Sequence, residues 1–171
     1  APYLFGNTGL GDLSLPELTD FLTGHQAGVS VGVDDNGASL SGSAVPGDLE
    51  ILFQLVNKKL NAPRRDAAAE TSFLKQVEES LKNQQDLPQQ VYQNEIQRIL
   101  NGGAPRSKPV TADRIGEVAP DKAAQFYSDF FRGGAGYTFT ITGDVDEAVL
   151  KPLVETYLAS LPAGKETPVK D

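Results

Sequence analysis

The sequence predicts an α+β fold in which helices pack on one face of an incomplete antiparallel sheet. Three observations carry this reading. A valine run alternates with small residues and turns back at an Asn-Gly pair. Several apolar segments follow at helical spacing, opened or closed by capping residues. A late segment rich in aromatic and β-branched residues has strand character.

Ser14-Leu15-Pro16-Glu17 is a capping box with proline near the first turn, and Leu18, Phe21 and Leu22 continue it as a helix. Gly24 supplies the left-handed stop. Val29, Val31 and Val33 then form a strand, Asp35-Asn36-Gly37 the turn, and Leu40 lies on the returning strand. Asn-Gly suits that turn because a type I′ geometry needs positive φ at both central positions. Pro46 opens a helix in which Leu49, Ile51, Leu52, Phe53, Leu55 and Val56 leave little polar face, so it is expected to be covered on more than one side. Asp66 caps the next helix, with Leu74, Val77 and Leu81 on one stripe. Pro88 begins another, carrying Tyr92, Ile96, Ile99 and Leu100 up to a stop at Gly102-Gly103. A further helix starts at Pro120 and places Ala123, Phe126, Tyr127, Phe130 and Phe131 at helical spacing.

Tyr137 to Thr142 is predicted as a strand that ends at Gly143-Asp144. The last helix carries Leu150, Leu153, Val154, Tyr157, Leu158 and Leu161. Pro152 is placed in its first turn, because proline deep inside a helix costs about 3 kcal/mol. Three strong strands are few for a sheet with two exposed edges, and Tyr3-Leu4-Phe5 is a candidate end of a fourth. The shortage implies a domain that starts before Ala1. One domain over residues 1–162 and a polar tail over 163–171 are expected.

The composition closes several functional routes. At 171 residues, with 39% hydrophobic and 22% charged, the chain is of ordinary globular make-up. A net charge of −8 argues against a nucleic-acid partner. The basic cluster Lys58-Lys59 and Arg64-Arg65 sits among carboxylates and reads as a solvated face. Without cysteine there is no disulfide, thiolate nucleophile or thiolate metal site. No apolar run reaches the ~18–20 residues of a membrane span. Ala1 follows no signal-peptide pattern, which suits a mature or excised piece.

No chemical motif survives inspection. A mononuclear zinc hydrolase uses about three protein ligands, usually including two histidines on adjacent helical turns. His25 is the only histidine and lies just past a helix end, so it reads as a loop or capping residue. Gly28-Val29-Ser30-Val31-Gly32 matches the nucleophile-elbow pattern in letters, yet Ser30 falls mid-strand and no histidine follows it. Asp34, Asp35, Asn36 and Gly37 resemble part of a calcium loop, but Val45 stands where the bidentate glutamate belongs, and a hairpin tip explains them. The glycines of Gly6 to Gly11, Gly102-Gly103 and Gly133-Gly134 lack the strand and helix context of a phosphate loop. Glu78-Glu79 and Asp144/Asp146 read as a solvated helix face and a strand-to-helix cap. No catalytic, cofactor-binding or metal-ligating residue is assigned.

Several segments in order resemble the insulinase/pitrilysin family of zinc metallopeptidases, especially its long bacterial members. They are Gly9-Leu10-Gly11-Asp12-Leu13-Ser14, Leu40-Ser41-Gly42-Ser43 running into Pro46-Gly47-Asp48-Leu49-Glu50, and Ala62-Pro63-Arg64-Arg65-Asp66. The closing stretch from Phe139 to Pro162 is similar to the strand, turn and helix that end each homologous domain of that family. The resemblance implies a protein of several α+β domains that close around a peptide, with zinc held by an H-x-x-E-H motif in another domain. That motif is absent here. The helix from Asp66 to Lys82 resembles the one that bears the family's further glutamate ligand, and Glu78 and Glu79 lie near that position, but metal binding is not carried over without histidines. The resemblance therefore implies a non-catalytic later domain, probably best described as substrate-enclosing and lacking its N-terminal strands. Its expected partners are the other homologous domains and a peptide or unfolded protein, and its expected compartment is the bacterial periplasm or exterior. A structural subunit of an inactive member, or a peptide-binding module that adds a strand to a sheet edge, is the alternative.

Overall fold

A computed structural model of the chain describes residues 4, 6, 8–33, 38–102, 104, 109–131, 133 and 136–163. Its elements run α1 (Leu15–Leu22), β1 (Ala27–Val33), β2 (Ala38–Ala44), a 3₁₀ turn (Pro46–Asp48), α2 (Leu49–Asn61), α3 (Ala67–Gln84) and α4 (Pro88–Leu100). A second 3₁₀ turn (Ala112–Glu117), α5 (Pro120–Phe131), α6 (Glu147–Leu153) and a π turn (Val154–Leu158) complete them. The class is α+β, with an antiparallel hairpin covered on one side by helix.

The hairpin registers Val31 against Leu40 and Val29 against Gly42. Its tip, Asp34 to Gly37, lies outside the described residues. Gly42 is where the hairpin meets α2: a Cβ there would stand 2.7 Å from Leu52 Cδ1 and 2.9 Å from the Gly28 carbonyl. Helix α2 is accordingly the centre of the fold, as its nearly continuous apolar surface predicts. It touches both strands, α5 and the π turn, and buries Leu49, Phe53, Leu55 and Leu60. The deepest core joins Leu60, Tyr127, Phe131 and Leu161, with Val31, Leu40, Val56 and Tyr137 packed around it. Tyr127 and Phe131 stack at 4.6 Å between ring centroids.

Capping is where residues and structure agree most closely. Glu17 Oε2 accepts hydrogen bonds from the Ser14 N–H (2.8 Å) and the Ser14 hydroxyl (2.6 Å). Asp66 Oδ1 accepts from the N–H groups of Ala68 and Ala69, both at 3.0 Å, and Asp146 Oδ1 accepts from Ala148 N–H at 2.8 Å. Gly24 takes the left-handed conformation with φ +89°.

Three expectations are corrected. Tyr137 to Thr142 forms no strand among the described residues, although Tyr137 packs on the core; β-propensity makes a strand only where a ladder partner lies alongside. Leu4 is helical and buried, so no strand end lies there, while Tyr3 and Phe5 are outside the described residues. Pro152 lies inside α6, not in its first turn. Proline withholds one helical N–H, and the chain answers by widening into the π turn just beyond, where Ala159 N–H bonds to the Val154 carbonyl. One element was not anticipated: the 3₁₀ turn at Ala112–Glu117, which buries Ala112 and Ile115 and is the main packing partner of α3. The expected tail from residue 164 onward lies outside the described residues.

Candidate functional site

Two of the segments singled out by their wording come together in space. Gly9 and Gly11 both have positive φ, which lets Leu10 and Leu13 exchange backbone hydrogen bonds at 2.9 and 3.0 Å across a two-residue turn. This small loop is clasped to the linker between α2 and α3. Gly11 N–H donates to the Ala62 carbonyl (3.1 Å), Arg64 Nη1 donates to the Asp12 carbonyl (3.0 Å), and the buried Thr8 hydroxyl donates to the Arg64 carbonyl (2.8 Å). Arg64 Nε is itself buried with no hydrogen-bond partner among the described residues.

The next residue, Arg65, forms an ion-pair triad. Its Nε and Nη2 donate to both oxygens of Glu70 at 3.0 and 2.8 Å, and Nη1 donates to Asp121 at 2.6 Å. Glu70 is only 2% exposed, the one buried residue of α3. The two carboxylates, Glu70 first, hold the guanidinium well above its ordinary pKa. The expectation of a solvated basic face is thus wrong for Arg64 and Arg65, which tie the loop, the linker and α5 together. The signal was an arginine beside a helix cap with a glutamate in the first turn beyond it.

Beside the clasp lies a groove of about 410 Å³. Leu10, Leu13, Leu18, Phe21, Ile51 and Leu55 provide its apolar lining, and Lys58 and Tyr157 are among its polar members. Tyr157 is fully engaged: its hydroxyl donates to Glu50 at 2.8 Å and accepts from Gln54 at 3.1 Å, and its carbonyl accepts from Asn57 at 2.7 Å. Such a surface can hold an apolar side chain. It presents no nucleophile paired with a base.

His25 Nδ1 lies 2.8 Å from Asp48 Oδ1, and Asp48 Oδ2 accepts the Gln26 N–H at 2.6 Å. The Gln26 N–H and then His25 hold the Asp48 carboxyl below the usual carboxylate range. His25 therefore latches the end of α1 to the start of α2. Ser30 sits in mid-strand opposite Ser41, to whose carbonyl its hydroxyl donates at 3.4 Å. Glu78 pairs with Lys82 one turn on, and Glu79 is exposed. Asp146 caps α6, and Asp144 lies in the preceding bend. Among the described residues, no group of three or more His, Cys, Asp or Glu is placed to hold a metal ion. Among them, too, no helix is long and apolar enough to cross a membrane.

No family model matches the chain. A zinc protease PQQL-like protein of Arabidopsis thaliana is 27% identical over 116 residues, which is 67% of this chain and 12% of that protein. A probable zinc protease PqqL of Haemophilus influenzae is 28% identical over 158 residues, 90% of this chain and 16% of that protein. Among solved structures, the periplasmic protease PqqL from Escherichia coli aligns with a TM-score of 0.77 at 23% identity, over 98% of this chain and 18% of that one. The ferredoxin protease FusC, solved with Arabidopsis ferredoxin, aligns with a TM-score of 0.73 at 21% identity, over 99% of this chain and 19% of that one. The chain thus shares its fold with one segment of each protease and spans less than a fifth of every relative's length.

Proposed function

Because this chain belongs to the insulinase/pitrilysin family of zinc proteases, we propose that it serves as a non-catalytic, substrate-enclosing domain of a longer zinc endopeptidase. One observation carries the reading. Nearly all of the chain aligns with a single segment of far longer proteases, while its own polar side chains are spent on capping, clasping and latching. A domain of this kind contributes walls: it excludes water from the peptide and limits how the peptide lies against a catalytic centre held elsewhere.

Zinc, in this reading, is bound by another domain, where it would polarise the scissile carbonyl and activate water. His25 is engaged with Asp48, and Glu70 with Arg65. Neither is asked to become a ligand. The substrate class is a peptide or an unfolded protein, and the compartment is extracytoplasmic; the description of the Escherichia coli protease as periplasmic supports the latter. The domain is an incomplete one over residues 1–162. Tyr137 to Thr142, strand-like in sequence and unpaired among the described residues, marks where a strand from outside it would add.

The test is hydrolysis of a denatured protein by the product of the whole reading frame. Chelator-sensitive cleavage, with an upstream H-x-x-E-H, supports the proposal. A whole protein that folds, lacks the motif and cleaves nothing would make the chain part of an inactive scaffold instead.

A further inference from the structure

Helix α4 is the least partnered element of the fold. None of its residues is buried, and it makes no substantial contact with another described element. Val91, Tyr92, Ile99 and Leu100 are 53%, 63%, 62% and 74% exposed. At about 3.6 residues per turn these four occupy one half of the helix circumference. Leu87, exposed immediately before the first turn, extends the strip.

Two physical arguments say what covers it. First, a helix of 13 residues is marginal in water by itself, because isolated helices shorter than about 12–15 residues gain too little to offset nucleation, and most helices draw stability from a packed apolar face. A transient ligand would leave that face wet between encounters, so the cover is permanent. Second, the only charged side chains of α4, Glu95 and Arg98, bond to each other at 2.8 and 2.6 Å. The strip therefore offers nothing to a charged ligand and matches the uncharged centre of a stable protein interface. The relatives place ample polypeptide beyond this segment, since the chain spans 12% and 16% of the curated ones.

We infer that α4 docks its Val91–Leu100 strip onto an apolar, uncharged surface of a further part of the same polypeptide, as a fixed interdomain contact and not as a substrate site. This rests on the reading of the chain as one domain of a longer protein.

Amide hydrogen exchange on the product of the whole reading frame, without substrate, tests it. Residues 91–100 are expected to exchange at least about 100-fold more slowly than the same sequence as a free peptide. Ile99→Leu should keep that protection and Ile99→Glu should abolish it. Exchange at the free-peptide rate overturns the inference. So does protection that appears only with added denatured protein, which would make the strip a substrate site, or protection lost on dilution, which would make the partner a second copy. Photo-crosslinking from a benzoylphenylalanine placed at Tyr92 should join residues beyond these 171 within one polypeptide; links only inside the 171 contradict it. Exchange is read independently of hydrolysis. A protected α4 in a protein without peptidase activity refutes the proposed function and leaves this interface standing.

Discussion

Replacing Arg65 with alanine probes the junction between the clasp and the helical layer. The variant strands the Glu70 carboxylate, whose side chain is 3% exposed, with neither of its two guanidinium hydrogen bonds. Breaking a buried ion pair from one side costs about 3–5 kcal/mol. Arg65 is itself 41% exposed, so water reaches the vacated site and lowers the expected cost to about 2–3 kcal/mol. The bond to Asp121, 93% exposed, adds at most about 1 kcal/mol. Urea denaturation followed by circular dichroism reads the difference. With a slope of about 2 kcal/mol per molar, the midpoint should fall by about 1 M. Asp121→Asn should move it by no more than a few tenths molar, and Arg65→Met combined with Glu70→Leu should recover most of the loss, because a well-packed apolar pair tolerates this environment. A midpoint for Arg65→Ala that moves no further than that of Asp121→Asn would refute the assignment of Arg65 as the partner on which buried Glu70 depends.

Three further outcomes are expected. Gly9→Ala should destabilise by several kcal/mol, since φ is +88° and the new Cβ would sit 2.2 Å from the Leu13 carbonyl oxygen; a loss under about 1 kcal/mol in the same urea assay would mean that the turn rearranges freely. Burial, then the neighbouring Tyr137, pushes Tyr127 up to about 12. Because the unfolded phenol ionises near about 10, its contribution is fully present below that pH and lost as pH rises through about 12, so ultraviolet titration should show a late-ionising tyrosine that Tyr127→Phe removes. Asp48 has the opposite sign: its folded pKa is depressed, so its contribution is present above the ordinary carboxylate range and lost as pH falls through the folded value. The stability gap between the native chain and Asp48→Asn should therefore close in acid, and a gap that stays constant down to pH about 2 would exclude the latch.

What could be read from residues alone was what is local. The caps at Ser14, Asp66 and Asp146 satisfy donors within three residues of themselves, so their wording is nearly their structure. The hairpin was legible because alternation puts Val29 and Val31 on one face whatever the register. The burial of α2 was legible from its missing polar face. Interactions at long range were not. Glu70 looks like any first-turn glutamate until Asp121, 56 residues from Arg65, closes the triad. Tyr137 to Thr142 has the composition of a strand but needs a neighbour that composition does not provide. The periodicity of α4 correctly marks an apolar strip, yet says nothing about what lies over it.

The central claim is that this chain is a wall of a zinc-dependent chamber and not its catalytic centre. Zinc content and peptide hydrolysis measured together on the purified 171-residue chain test it most directly. The account predicts less than stoichiometric metal after dialysis and no chelator-sensitive cleavage of a denatured protein. One tightly held zinc per chain, with cleavage abolished by chelation and restored by zinc, would contradict it.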